Sequence, residues 1–228
     1  MPAEPARARR VEQPLPAMPV ARARVRPVRG KRVFDVAVSI VALVAGLPLM
    51  ALIAVLIKLD DRGPVFYRQV RIGLNGKAFT IWKFRTMIRG ADRIAPNVSP
   101  TSDPRVTRIG KLLRASYLDE LPQLFNVING TMSLVGPRPE TPEFLAWCSP
   151  DELGILEVRP GLIGPSTLAS MDEAAVLEAT DDPLEYYIDV LMHERIQLDL
   201  TYLETMSVPT DIRLLARQAR AILFGHRS

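Results

Sequence analysis

Apolar positions crowd into one stretch near the start of the chain. Val36–Ile57 reads VAVSIVALVAGLPLMALIAVLI, 22 residues without a charge. As a straight helix it reaches roughly 33 Å, enough to cross a hydrocarbon core of about 30 Å. Nothing on it is polar enough to keep a face in water, as a soluble amphipathic helix must. A cleaved signal peptide does not fit either: the run is long, starts late, and is followed by Lys58-Leu59-Asp60-Asp61 rather than a small-residue cleavage site. Pro48 sits near its middle with Gly46. Proline deletes a backbone donor and clashes with the preceding turn, so a kink or break is expected there. Basic residues flank both ends, Arg22 to Arg32 before and Lys58, Arg62, Arg68 and Arg71 after. Positive charge in short flanks prefers the cytoplasm. A segment that enters, breaks at Pro48 and returns keeps both flanks on one side, so the pattern favours a re-entrant membrane helix over residues 33–60. A full span is the alternative left open.

The rest of the chain alternates shorter patterns. Gly63–Met87 predicts a β-hairpin, with PVFYRQVRI and KAFTIWKFRTM as β-branched and aromatic strands around the turn Gly73-Leu74-Asn75-Gly76. Arg89–Asp103 is polar and loop-like. Pro104–Arg114 suits a short basic amphipathic helix, and Leu118–Asn129 another. Gly130–Pro142 is Pro-punctuated and extended. Pro183–Met206 and Asp211–Phe224 predict helices, the last with Ile212, Leu215, Ala219 and Ile222 about a turn apart. The fold class is α+β, mainly helical.

Charge changes this picture at the N-terminus. Residues 1–32 hold nine basic residues, two acidic ones and six prolines, a net +7, and predict a disordered basic arm drawn to anionic lipid headgroups. The whole chain of 228 residues is only +4, so the remainder carries −3 and offers no surface for tracking nucleic acid. Cys148 is the one cysteine, which excludes an internal disulfide framework and a cysteine zinc cluster. His193 and His226 are the two histidines, too few for a His-rich metal site and poor material for a Ser-His-Asp triad.

The remaining chemistry is acidic and basic. Asp119-Glu120 precedes Leu121-Pro122. An isolated Asp-Glu is usually a helix cap or a surface pair, and with Asp119 as N-cap, Pro122 falls harmlessly in the first turn. Such a site keeps a carboxylate ionised and attracts phosphate. Neighbouring helical residues point about 100° apart, which suits two separate jobs. Arg138 stands between Pro137 and Pro139, which fix its backbone. With Lys83 and Arg114 it surrounds the acidic pair with cations, asking for a phosphate-rich ligand and a divalent metal.

Three runs then carry a resemblance: KRVFDVAVSI, GPVFYRQVRIGLNGKAFTIWKFRTM and SDPRVTRIGKLLRASYLDELPQLFNVINGTMSLVGPRPE. Together they resemble the bacterial sugar transferase family, the monotopic phosphoglycosyl transferases, over roughly residues 31–224. The resemblance implies a re-entrant membrane helix, interfacial amphipathic helices, a small β-hairpin and a catalytic domain over residues 61–228 at the cytoplasmic face of the bacterial inner membrane. It implies transfer of a sugar-1-phosphate from a UDP-sugar to polyprenyl (undecaprenyl) phosphate, with release of UMP and with Mg²⁺. Asp119 is then the nucleophile that forms a phosphoglycosyl-enzyme intermediate, Glu120 the Mg²⁺ ligand, and Lys83, Arg114 and Arg138 the phosphate-binding residues. Gln123 and Asn126 match the motif without an assigned role, and Asp182-Pro183, Tyr186-Tyr187 and Asp199-Leu200 are similar to family members. Two features depart from the pattern. Leu47-Pro48 replaces a Ser-Pro pair at the membrane break, and Arg159–Thr167 alters a segment RPGITGxxQ, which leaves the sugar open. An ionised aspartate needs no general base to attack phosphorus, so the scarcity of histidine is no obstacle.

Two rivals remain: transfer of the bare sugar, which leaves UDP, and a catalytically inert membrane adaptor, which the intact Asp119-Glu120 pair and Arg138 argue against. The polymer built is open, and so is the oligomeric state, a homodimer included.

Overall fold

A computed structural model describes residues 28–91, 103–170 and 173–224. The predicted basic arm lies outside the described residues as far as Pro27, as does most of the polar loop after Arg89.

The apolar run forms α1, Lys31–Asp61, after a left-handed Gly30 and up to a left-handed Arg62. The helix begins before the expected boundary because Lys31 and Arg32 have partners. Lys31 Nζ reaches Asp211 Oδ2 at 2.5 Å and the Val135 carbonyl at 2.9 Å. Arg32 donates to the carbonyls of Val127 and Ile128 at 2.6 and 3.0 Å, which a helix end leaves unsatisfied. One turn on, the Asp35 carboxylate accepts the Ser133 hydroxyl at 2.7 Å. The far end of α1 is tied down too. Met50, Ile53 and Ile57 are buried against Phe84 and Leu113, and the Asp61 carboxylate lies 3.2 Å from the Arg85 guanidinium. Between these moorings the helix is bare: Val41, Val44 and Leu47 are 70, 62 and 51% exposed. Pro48 lies in this stretch, and no break occurs there. Lys31–Asp61 remains one helical segment with Pro48 inside it, since the proline deletes a single donor and the adjoining turns keep theirs.

The hairpin is as predicted: β1, Phe66–Ile72, pairs antiparallel with β2, Ala78–Phe84, with Arg68 opposite Trp82 and Tyr67 opposite Lys83. Its turn places Asn75 and Gly76 in the left-handed region. One face carries Phe66 and Arg68 against Trp82, the guanidinium 4.3 Å from the ring centroid; the other carries Gln69, Arg71 and Lys83.

The first amphipathic helix is shorter than expected. Pro104 and Arg105 are spent on a turn that the Val106 N–H closes on the Asp103 carbonyl at 3.1 Å, and Val106 bridges Met87. Thr107 then caps α2, Arg108–Ala115, by accepting the Gly110 N–H at 3.0 Å. The predicted helix over Leu118–Asn129 divides into a 3-10 segment, Leu118–Gln123, and α3, Leu124–Asn129, which ends on left-handed Gly130. The Pro-punctuated stretch contains a strand that was not expected. β3, Ser133–Val135, pairs in parallel with β4, Gly161–Ile163.

The short helices α4, Pro142–Leu145, α5, Pro165–Ala169, α6, Glu173–Glu178, and α7, Pro183–Tyr186, fill the second half. A π-helical stretch, Tyr187–Leu191, joins α7 to α8, Met192–Thr205, so the predicted Pro183–Met206 helix is nearly continuous. The last helix, α9, is Val208–Phe224 and starts earlier than predicted. Trp147 and Cys148 pack on the core beside Phe144 and Leu145. Burial and the nearby Glu152 and Glu140 push the Cys148 thiol up to about 12, which keeps it inert. His193 holds Glu152 at 2.6 Å, far in sequence from the acidic pair.

Candidate active site

The acidic pair is set by an unusual turn. α2 ends at Ala115, and Tyr117 then adopts a left-handed conformation, φ 57°. Tyr117, not Asp119, occupies the N-cap position, so Asp119 and Glu120 lie inside the first 3-10 turn. The expected capping role of Asp119 is thereby corrected: its side chain is free of the local backbone. This turn packs on β2, and both carboxylates are more than nine-tenths buried.

Lys83, projecting from β2, and Arg138, from the loop after β3, converge on Glu120. Lys83 Nζ donates to Oε1 at 2.6 Å, and Arg138 Nη2 donates to the same oxygen at 3.2 Å. Burial raises the Glu120 carboxyl, but these two cations outweigh it and hold it down to about 2. Asp119 goes the other way. Burial pushes it up, Lys83 pulls it back, the Glu120 charge pushes again, and the result is about 6. The pair thus splits into a carboxylate locked as an anion and one poised near neutrality. Arg114 sits apart from the clamp. Its Nε donates to Thr86 Oγ1 at 3.0 Å, and its charge acts on Asp119. Pro48 lies elsewhere, in the bare middle of α1.

Two carboxylates on adjacent residues are a sparse cage. Among the described residues no cluster of three metal-ligating side chains occurs. That donor set fits Mg²⁺, which is commonly bound by one or two carboxylates with water and substrate phosphate completing the octahedron. A desolvated Asp119 carboxylate also gains from a nearby cation.

Sequence reasoning left Asn126 without a task, and the structure supplies one. Its amide accepts the Trp82 N–H at 3.1 Å and donates to the Thr80 carbonyl at 2.7 Å. This locks α3 to β2 one residue from Lys83. Behind Arg138 lies a buried network that sequence reasoning missed. Glu140 sits 3.8 Å from both Arg71 and Arg195, and the Tyr187 hydroxyl reaches it at 3.3 Å. Arg195 also meets Glu173 at 3.2 Å. The only signal in the sequence was the position of Glu140 directly after Pro-Arg-Pro.

The loop bearing Arg138 is seated by a close backbone approach. A Cβ on Gly161 would fall 2.1 Å from the Gly136 nitrogen, so β4 fits against this loop only as glycine.

The sequence profile described as bacterial sugar transferase matches residues 26–225. The undecaprenyl-phosphate glucose phosphotransferase of Komagataeibacter xylinus is 37% identical over 205 residues, 87% of this chain, and the chain spans 36% of that protein's length. The UDP-glucose:undecaprenyl-phosphate glucose-1-phosphate transferase of Caulobacter vibrioides is 37% identical over 198 residues, covering 85% of this chain and 69% of the relative. The exopolysaccharide production protein ExoY of Sinorhizobium fredii is 34% identical over 221 residues, 90% of this chain and 91% of its own. With the profile covering the long apolar helix, the hairpin and the acidic pair alike, this chain belongs to the bacterial sugar transferase family.

Proposed function

We propose that the protein transfers a sugar-1-phosphate from a UDP-sugar to polyprenyl (undecaprenyl) phosphate, releasing UMP and initiating synthesis of an exopolysaccharide, O-antigen or glycoconjugate. The observation that carries this reading is the divided acidic pair: Glu120 clamped by Lys83 and Arg138, with Asp119 buried beside it at about 6. Two similar proteins are named undecaprenyl-phosphate glucose phosphotransferase and UDP-glucose:undecaprenyl-phosphate glucose-1-phosphate transferase.

The ionised Asp119 carboxylate attacks the phosphorus that bears the sugar. The bond to the UMP oxygen breaks, its electron pair leaves with UMP, and the sugar phosphate stays on Asp119 as an acyl phosphate. An oxygen of the lipid phosphate then attacks the same phosphorus, and the aspartate carboxylate departs. Burial serves the first step by stripping water from the nucleophile. Lys83 and Arg138 supply positive charge where the phosphate oxygens gather, and Arg114 adds its field at Asp119. Mg²⁺, held by Glu120 with Asp119 adjacent, would neutralise diphosphate charge when bound.

The lipid acceptor accounts for α1. Both of its ends are held by the same body, Lys31 and Arg32 at one and Asp61 at the other, which supports a helix whose two ends stay on one side, the cytoplasmic side, of the inner membrane. Exposed Leu112 on α2 and Ile212, Ile222 and Phe224 on α9 support interfacial seating of those helices against membrane lipid.

The test is incubation of the purified protein with Mg²⁺, undecaprenyl phosphate and a panel of UDP-sugars. UMP release is expected; UDP release would favour transfer of the bare sugar, and no product from any donor would favour an inert adaptor. Without lipid, mass spectrometry should find the sugar phosphate on Asp119.

A further inference from the structure

Pro137-Arg138-Pro139 offers a single backbone donor. Neither proline has an N–H, so the Arg138 amide is the one main-chain hydrogen by which a side chain can grip these three residues. It donates to Asp199 Oδ2 at 2.9 Å. Asp199 arrives from α8, and it is 3% exposed. The same carboxylate accepts the Ser166 hydroxyl at 2.7 Å on Oδ2 and the Ser166 N–H at 3.2 Å on Oδ1. The loop carbonyls are also taken: Pro137 accepts the Gly161 N–H at 2.8 Å, and Pro139 accepts Arg71 Nη1 at 3.0 Å.

A buried carboxylate needs partners. The two bonds from Ser166 would already join α8 to α5. The third bond runs instead to the residue whose guanidinium, on its far side, reaches Glu120. Fixing the backbone amide fixes where that side chain starts, and transfer chemistry is sensitive to misplacement of about 1 Å.

We infer that Asp199 is a positioning residue for transfer, setting Arg138 against the acidic pair. This rests on the proposed reading of the site, in which Arg138 serves the phosphates. Nothing in the roles implied for Asp119, Glu120, Lys83 or Arg114 includes it.

The experiment is a double-mutant cycle on the full chain in detergent, with undecaprenyl phosphate, Mg²⁺ and either UDP-glucose or UDP-N-acetylgalactosamine, scored by UMP release. Asp199→Ala should lower kcat/KM about 10- to 100-fold, the scale of losing one charge-assisted hydrogen bond at the site. In an Arg138→Ala background the same change should cost less than about 2-fold, because the route through which Asp199 acts is already gone. Ser166→Ala removes the hydroxyl bond to Oδ2, keeps its own N–H on Oδ1 and leaves the Arg138 amide bonded, so it should keep activity within about 3-fold while lowering the melting temperature. Equal losses in both backgrounds would overturn the inference, as would Ser166→Ala losing as much activity as Asp199→Ala. Should Asp199→Ala fail to fold, Asp199→Leu enters the same cycle: it has nearly the same shape and no acceptor, so the Arg138 N–H loses its partner and the same coupling to Arg138 is expected. A wild-type protein with no UMP release would instead overturn the functional reading, and this inference with it.

Discussion

Asp119→Asn should inactivate the protein and make it more stable. The carboxyl titrates at about 6 rather than the ordinary 3.8, chiefly because it is buried. Each step of one pH unit between those values is worth about 1.4 kcal/mol. Keeping Asp119 ionised at neutral pH therefore costs the fold about 3 kcal/mol. The sign follows from the direction. A group whose folded pKa is raised contributes stability fully below its unfolded pKa and loses it as pH climbs through the folded one. The window is pH 3.8 to 6, and above it the full cost applies. Asparagine has the shape of the protonated acid and none of this cost. For a chain of this size the gain corresponds to roughly 6–12 °C in melting temperature at pH 7.5. At pH 4.5 wild-type Asp119 is already protonated in the fold, and the advantage should shrink to about 1 kcal/mol. The assay is thermal unfolding of both proteins in the same detergent at the two pH values, with UMP release measured alongside. A variant no more stable than wild type at pH 7.5, or a gap equal at both pH values, would refute the argument that burial dominates at Asp119. Near-normal turnover would refute its role as nucleophile.

The same titration predicts that wild-type kcat/KM rises about tenfold per pH unit up to about pH 6 and then levels; a rising limb near pH 4 would count against it. Glu120→Ala removes the anion that Lys83 and Arg138 share, so most activity should go, with partial recovery in excess Mg²⁺, and chelation should silence the wild type. Full activity in a chelator would remove the metal from the scheme. Gly110→Ala would place a Cβ 2.0 Å from the Thr86 carbonyl oxygen. It should force α2 off the hairpin, cost about 1–3 kcal/mol in stability and disturb Arg114, which a chemical denaturation midpoint would show. A cysteine at Ala21 in a Cys148→Ser background should be protected from an impermeant reagent in intact cells. Adding Pro48→Ala should leave it protected, because the helix already runs through Pro48 and its two ends are held by the same body, whereas labelling of the parent would mean a full span.

The elements legible in the sequence were those with a local cause. The charge-free run, the alternating strands around Gly73–Gly76 and the Pro183 helix start each announce themselves within a few residues. Lys83, Glu120 and Arg138 were nameable from their motifs, and the structure brings Lys83 and Arg138 each within 3.2 Å of Glu120. What was illegible depends on partners far along the chain. β3 is three residues long and exists because β4 lies beside it, a pairing that no local periodicity encodes. Tyr117 takes a left-handed turn that its residue type does not favour, and that displaced Asp119 from the expected cap. Lys31 and Arg32 looked like the end of a solvated arm until Asp211 and the α3 carbonyls were in place. Pro48, where a kink or break was expected, lies inside one continuous helical segment, which a helix this long sustains with one donor missing.

The bond between Lys31 and Asp211 has a consequence for how the protein is made. Its two ends are separated by 180 residues. A ribosome adding about 5–20 residues per second needs roughly 10–40 s to pass from one to the other. The apolar helix therefore emerges first, while the carboxylate that will tether it has yet to be synthesised. On the proposed reading, the orientation of the helix in the lipid is decided in that interval by its own flanking charges. The tether arrives late and preserves a choice already made. A nascent chain stalled short of residue 211 should thus enter the membrane in the correct sense yet leave the start of its helix loose, and release from the stall should pin it.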